Sequence, residues 1–191
     1  QAAVNLENYV LKRRLSQALS MDTLTGLQNY DSFSASAAEM CESSLAEESP
    51  LGLILVNIDR FKIFNQRYGR EAGEMVLVEL ATLISSSVRK GDAAARYGGD
   101  EFAMLLPRAG GTRLTDLAET LLKRIRSQVF LQGEGRSARI TVSIGMAEFP
   151  RDAGDPPGLI TAAQKALDKA KENGGDRAVP AALPLVDWSQ N

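Results

Sequence analysis

The sequence predicts an α+β fold: a central, mostly antiparallel sheet with helices packed on it, preceded by a helical extension. Three observations support that class. Short apolar runs of β type alternate with single amphipathic helical patterns. Two of those runs flank the Gly98-Gly99 dipeptide, a good hairpin signal. No segment repeats at the ~20–50-residue period of solenoids and propellers.

The elements follow in order. Residues 3–20 carry Leu6, Tyr9, Val10, Leu11, Leu15 and Leu19 in a ragged apolar stripe. They read as a helix, either packed on its own domain or ending a parallel coiled-coil stalk. The chain opens on Gln1, inside this pattern, and reads as a fragment of something longer. Gly26 and Asn29 mark a turn, and Asp31 or Ser32 is the expected cap of a helix running to about Glu47. Leu51–Ile58 has no polar residue before Asn57, as expected of a buried central strand. Phe61–Tyr68 is a short helix or turn, and Glu71–Val88 a strong amphipathic helix. Strands are expected at Ala93–Tyr97, Phe102–Leu106 and Ala138–Glu148, with helices at Leu114–Val129 and Leu159–Glu172. Asn173-Gly174-Gly175 closes the last helix. The expected division is a stalk helix over 1–20, one domain over 21–178, and a tail or linker over 179–191.

Composition narrows the chemistry. A 191-residue chain with 44% hydrophobic and 24% charged residues can bury a core without staples. The single cysteine, Cys41, excludes an internal disulfide and suits a reducing, cytoplasmic setting. A net charge of −2 lacks the basic footprint of a DNA-binding module. No apolar run reaches the ~18 residues of a membrane span, and no signal peptide opens the chain, although a longer protein containing it could be membrane-attached. The absence of histidine removes His-based triads and His-ligated zinc, leaving carboxylates, Lys and Arg.

The densest motif is R-Y-G-G-D-E-F, Arg96 to Phe102. Adjacent glycines let the backbone take positive φ and let a bulky anion approach. Asp100 and Glu101 follow, and on a strand neighbours point to opposite faces, so one of the two leads into a given site. A second segment, N-I-D-R-F-K-I-F-N at Asn57–Asn65, ends an apolar strand in Asn57 and Asp59, spaced to share a face. Carboxylates from two such segments can hold a hard cation such as Mg²⁺. Amides at Phe61 and Lys62, with the Lys62 ammonium, suit a polyphosphate.

Together these segments resemble the GGDEF family of diguanylate cyclases, from about Asp22 to Arg177. The matching motifs are D-T-L-T-G-L-Q-N, N-I-D-R-F-K, R-Y-G-G-D-E-F, T-V-S-I-G and A-L-D-K-A-K. The resemblance implies a fold similar to the class III adenylyl cyclase and polymerase palm core. It implies condensation of two GTP into cyclic di-GMP by a homodimer with Mg²⁺ or Mn²⁺, controlled by an upstream sensor. Residue by residue, it puts Asn57, Ile58 and Asp100 at metal positions and Asp100 and Glu101 at catalytic ones. Phe61, Lys62, Asn65, Glu74, Gly98, Gly99 and Lys171 fall at substrate-binding positions, with Asn65 and Glu74 on the guanine edge. Arg89 and Asp92 match the R-x-x-D site at which cyclic di-GMP inhibits.

The chain departs from the family pattern at specific places. Asn57 replaces a metal-binding aspartate, which Asp59 could partly compensate. Glu74 replaces an aspartate, Arg70 a histidine and Tyr30 an arginine. Gly175 stands where K-x-x-G-R-N has arginine, and Arg177 could substitute if the loop bends suitably. Two readings therefore stand: a working cyclase, or a degenerate domain that binds GTP or cyclic di-GMP and passes on a signal. A dimerising scaffold has no specific support.

Overall fold

A computed structural model describes residues 20–132 and 137–181. The expected helix before Ser20 and the tail from residue 182 lie outside the described residues. Five strands form one sheet in the order β2-β3-β1-β4-β5, with β1 Leu51–Ile58, β2 Ala93–Arg96, β3 Glu101–Pro107, β4 Val142–Phe149 and β5 Arg177–Pro180. All neighbours are antiparallel except β4 and β5, which run parallel.

The central place of β1 follows from its composition. It has no polar face, so both sides must be covered, and all eight of its residues are buried. Ile54, Val56 and Ile58 meet α3 (Arg70–Ser85) and α4 (Gly111–Ser127) on one side. Leu51, Leu53 and Leu55 meet α1 (Tyr30–Ala46) and α5 (Pro156–Glu172) on the other. The short helix α2 (Phe61–Tyr68) follows β1 directly. Gly145 of β4 explains how closely α5 seats itself, because a Cβ there would lie 2.2 Å from the Ala163 carbonyl and 2.4 Å from the Leu167 amide.

Several boundaries differ from expectation. The cap of α1 is Asn29, whose side chain accepts from the Ser32 amide, rather than Asp31 or Ser32. The strand expected from Ala138 begins at Val142, and Ala138 instead bridges to Phe130. β5 was not expected: four residues ending in proline carry little strand signal, and the parallel pairing with β4 supplies it. It extends past the expected boundary at residue 178, and the Ala181 amide donates to the Met146 carbonyl. Among the described residues no helix is long and apolar enough to cross a membrane.

Candidate functional site

The site grows from the end of β1. Strand register aligns Glu101 of β3, Asn57 of β1, Ser143 of β4 and Arg177 of β5 in one row across the sheet. The row lies on the side covered by α5. Asn57 is buried, and its Nδ2 donates to Glu101 Oε1 at 3.5 Å. Lys171, in the last turn of α5, brings its ammonium to 3.7 Å from the same oxygen. Glu101, rather than Asp100, is thus the carboxylate that meets Asn57.

Asp59 has a different job from the one its spacing suggested. Its carboxylate accepts from Thr141 Oγ1 at 2.8 Å, Ser143 Oγ at 2.6 Å and the Asp176 amide at 2.9 Å. These bonds join the end of β1 to the start of β4 and to the turn before β5. A carboxylate so committed has little capacity to replace the charge missing at Asn57. Nothing in the sequence distinguished this clamp from a ligand, because its partners lie more than eighty residues away.

Beside the Gly98–Glu101 turn opens a cleft of about 770 Å³, lined by Phe61, Lys62, Asn65, Glu74, Arg96 and Asp100 among others. Asp100 and Glu101 therefore lead to different surroundings, as strand alternation requires. The helix α2 has no side-chain cap at its N-terminus, where Arg60 takes a left-handed φ of 55°. Ile63 and Phe64 donate to the Arg60 carbonyl, and the Phe61 and Lys62 amides precede them at the open end. Asn65 lines the cleft, and its Oδ1 is turned inwards against Gly73, buried without a hydrogen-bond partner. Such an atom is costly unless something else pairs with the amide. Gly73 makes room for it, since a Cβ there would fall 1.9 Å from Asn65 Oδ1. Glu74, on the same helix as Gly73, is bridged by Arg70 at 3.2 Å.

Arg96 fastens the turn. Its Nε and Nη2 donate to the Gly99 carbonyl at 3.2 and 2.7 Å, while Nη1 reaches both Asp22 oxygens at 3.3 Å. Tyr30, where the family has arginine, instead sets its ring 5.0 Å from that of Tyr97. Burial, then Tyr30, then Glu101 push the Tyr97 phenol up to about 12, so it remains neutral.

With this geometry in view, the family model described as "Diguanylate cyclase, GGDEF domain" matches residues 19–177. The chain belongs to the GGDEF domain family. It is 35% identical over 171 residues to diguanylate cyclase DgcM of Escherichia coli K12, covering 90% of this chain and 40% of that protein. Diguanylate cyclase A of Treponema denticola is 34% identical over 71% of this chain and 36% of its own length. The chain thus spans well under half the length of these curated relatives. Among solved structures, the GGDEF domain of DgcB from Caulobacter crescentus in complex with c-di-GMP superposes with a TM-score of 0.79 at 30% identity. That match covers 85% of this chain and 95% of the other. The mixed five-stranded sheet is accordingly the palm-like cyclase fold.

This GGDEF domain carries a second cleft, of about 260 Å³, which shares no lining residue with the first. Arg89 and Asp92 lie in its wall: the Asp92 carboxylate accepts from the Arg89 amide at 3.0 Å and stands 3.6 Å from its guanidinium. Arg89 Nη2 also donates to the Pro107 carbonyl at 3.3 Å. Arg113 and Arg124 of α4 join them. Ser87 and Ser86 hold the Arg124 guanidinium at 2.5 and 3.0 Å. The R-x-x-D spacing pointed to the first pair. Arg113 and Arg124 gave no signal, because only the packing of α4 brings them there.

Among the described residues no three His, Cys, Asp or Glu side chains converge as a metal cluster. Beside Asn57 stand its own amide oxygen and the Glu101 carboxylate, while Asp100, whose carbonyl accepts from the Ile58 amide at 3.2 Å, lines the cleft. That set fits a hard divalent ion of the kind that takes one or two carboxylates and relies on nucleotide phosphates and waters for the rest.

Proposed function

We propose that this GGDEF domain condenses two GTP molecules into cyclic di-GMP, releasing two pyrophosphates, when two copies face each other. The observation that carries this reading is the unpaired, buried Asn65 Oδ1, in a cleft shared with Lys62, Glu74 and the Asp100 turn. Once its side chain turns out from Gly73, the Asn65 amide is suited to the base edge, with Oδ1 accepting from an amino group and Nδ2 donating to a ring nitrogen or carbonyl. Glu74 accepts from N1–H and the 2-amino group, a pattern that guanine has and adenine lacks. Phosphates then extend towards the α2 amides, Lys62 and Lys171.

In the reaction the 3′-hydroxyl of one GTP attacks the α-phosphorus of the other, its O–H proton departs, and the bond to pyrophosphate breaks. The second ester forms in the same way with the roles exchanged. The residues' main contribution is placement, which can supply much of the rate of such a step. Glu101, the adjacent acidic residue, is suited to assist removal of that proton, which leaves Asp100 for the ion. Glu101 is braced by Asn57 and Lys171, and Arg96 holds the turn that carries both carboxylates. Asp100, Asn57 and the Ile58 carbonyl, with Glu101 alongside, are the groups that would hold Mg²⁺ or Mn²⁺. When bound, the ion supplies charge neutralisation at the attacking and leaving oxygens.

The second cleft is the proposed inhibitory site. Arg89 and Arg124 present guanidinium groups to a phosphate or a guanine face, and Asp92 orients Arg89. Its small volume means that a cyclic dinucleotide binds partly exposed, leaving surface for a second copy.

A second reading, a domain that binds GTP or cyclic di-GMP without turnover, is favoured by the neutral amide at Asn57 and by Gly175. Incubation with GTP and Mg²⁺, followed by chromatography, separates the two. Cyclic di-GMP supports the cyclase; tight GTP binding without product supports the receptor.

A further inference from the structure

We propose that Arg70 is a guanine-reading residue, whose two terminal nitrogens donate to O6 and N7 of the base while Glu74 beside it accepts from N1–H and the 2-amino group. The inference rests on the GTP reading above. It adds a specificity-determining contact that a histidine at this position, as in the family pattern, could not make with two parallel donors.

Arg70 lines the same cleft as Lys62, Asn65 and Glu74. It is the first residue of α3, with Gly69 at φ 90° before it and Glu74 one turn further along. Its Nε lies 3.2 Å from Glu74 Oε1, whereas Nη1 and Nη2 have no partner among the described residues. The side chain is 91% exposed, so both terminal nitrogens are free to meet a ligand. The helix itself does not account for an arginine here. A cation in the first turn opposes the helix dipole. The pair with Glu74 runs Arg before Glu, the weaker order at this spacing, and an exposed pair of that kind adds little to stability.

The base edge supplies the missing partner. Guanine presents two acceptors, N7 and O6, followed by two donors, N1–H and the 2-amino group. Arg70 and Glu74 present donors and then acceptors, side by side on one face of the helix. With Nε held by Glu74, Nη1 and Nη2 remain as a two-pronged donor, the arrangement with which arginine commonly reads O6 and N7 of guanine. Leu24, Phe61 and Leu77 supply apolar walls for the ring. Adenine has an amino group where guanine has O6. It would set donor against donor at Arg70 and leave the guanidinium desolvated without a partner.

The test is calorimetric titration of the whole chain in Mg²⁺ with 3′-deoxy-GTP and with its 7-deaza analogue, in which a C–H replaces the N7 acceptor. Both lack the attacking hydroxyl, so no turnover intrudes. The unaltered protein is expected to bind the 7-deaza form about fivefold more weakly, the worth of one hydrogen bond. In Arg70→Ala, 3′-deoxy-GTP is expected to weaken about tenfold, and the gap between the two ligands to close to within about twofold. Arg70→Lys, which has no planar fork, keeps a gap of intermediate size. The melting midpoint without nucleotide is expected to stay put, since Arg70 is exposed. Equal affinity of the unaltered protein for the two ligands overturns the proposal while leaving the GTP site standing. So does a gap that persists in Arg70→Ala, as it would if the guanidinium met phosphate or merely held Glu74. Failure of the unaltered protein to bind GTP or its 3′-deoxy form overturns both.

Discussion

Arg96 joins the segment that enters the domain to the turn that carries its carboxylates: Nη1 lies 3.3 Å from both oxygens of Asp22, and Nη2 lies 2.7 Å from the Gly99 carbonyl. Asp22 also accepts from the Thr25 amide and hydroxyl at 2.9 and 2.7 Å. Thr25 and Arg96, from two distant segments, thus share one carboxylate, and the position of Asp100 depends on it.

The first prediction concerns that carboxylate. Burial alone would raise the Asp22 pKa, but the Thr25 bonds and the Arg96 guanidinium outweigh it and hold the group below its ordinary 3.8. A depressed folded-state pKa gives stability that is present above the unfolded value and is lost as pH falls through the folded one. Asp22→Asn should therefore cost about 1–2 kcal/mol at pH 7. The gap to the unaltered protein should close below about pH 4, as denaturant melts across pH will show.

The second concerns Gly175. Restoring the arginine of the family pattern is not expected to restore a phosphate contact. Gly175 has φ of +74°, and a Cβ there would lie 2.8–2.9 Å from the Asp59 carboxylate. Gly175→Arg should lower stability by about 1–2 kcal/mol and leave GTP affinity no better. Thermal melts and calorimetry on the same preparation check both halves.

A third concerns Asn57. Asn57→Asp places a carboxylate, nearly inaccessible at 8% exposure, 3.5 Å from Glu101 in the position of the present amide. Without metal the two like charges should lower the melting point. With Mg²⁺ the order should reverse, and turnover should rise about tenfold or more, since a full charge faces the ion. Melts with and without Mg²⁺, alongside an activity assay, test the reversal.

The fourth uses the space above Gly73. Gly73→Ala drives a methyl group into Asn65, so guanine binding should weaken while the fold, whose core lies elsewhere, persists. Asn65→Ala should reduce the preference for GTP over ATP by about 1–3 kcal/mol, the usual effect of removing a buried polar partner. Competition titrations with the two nucleotides measure it.

If the cleft of Arg89 and Arg124 is inhibitory as proposed, Arg89→Ala and Arg124→Ala should each raise the concentration of cyclic di-GMP needed for inhibition while leaving the initial GTP rate unchanged. Progress curves with and without added product distinguish this from a loss of turnover.

Much of this molecule was legible in its residues. The apolar run of β1, the Gly98-Gly99 hairpin and the periodic helices placed four of the five strands and the α-helices from Tyr30 on to within a few residues. Local patterns carry that information. What stayed hidden depends on partners far along the chain. β5 exists because β4 offers it an edge, and Asp59 is a clamp because Thr141, Ser143 and Asp176 converge on it. Asp100 and Glu101 were separable in principle by alternation, yet only the fold assigns Glu101 to Asn57 and Asp100 to the cleft. Arg96 was part of the signature, but its link to Asp22 spans 74 positions and leaves no local trace.

The most direct measurement is the rate of cyclic di-GMP formation from GTP and Mg²⁺ as protein concentration is raised. One cyclic dinucleotide is expected for every two pyrophosphates, with a rate per protein molecule that climbs with concentration as two GTP-loaded copies meet. GTP left intact at the highest concentration, in a protein that remains folded, would contradict it.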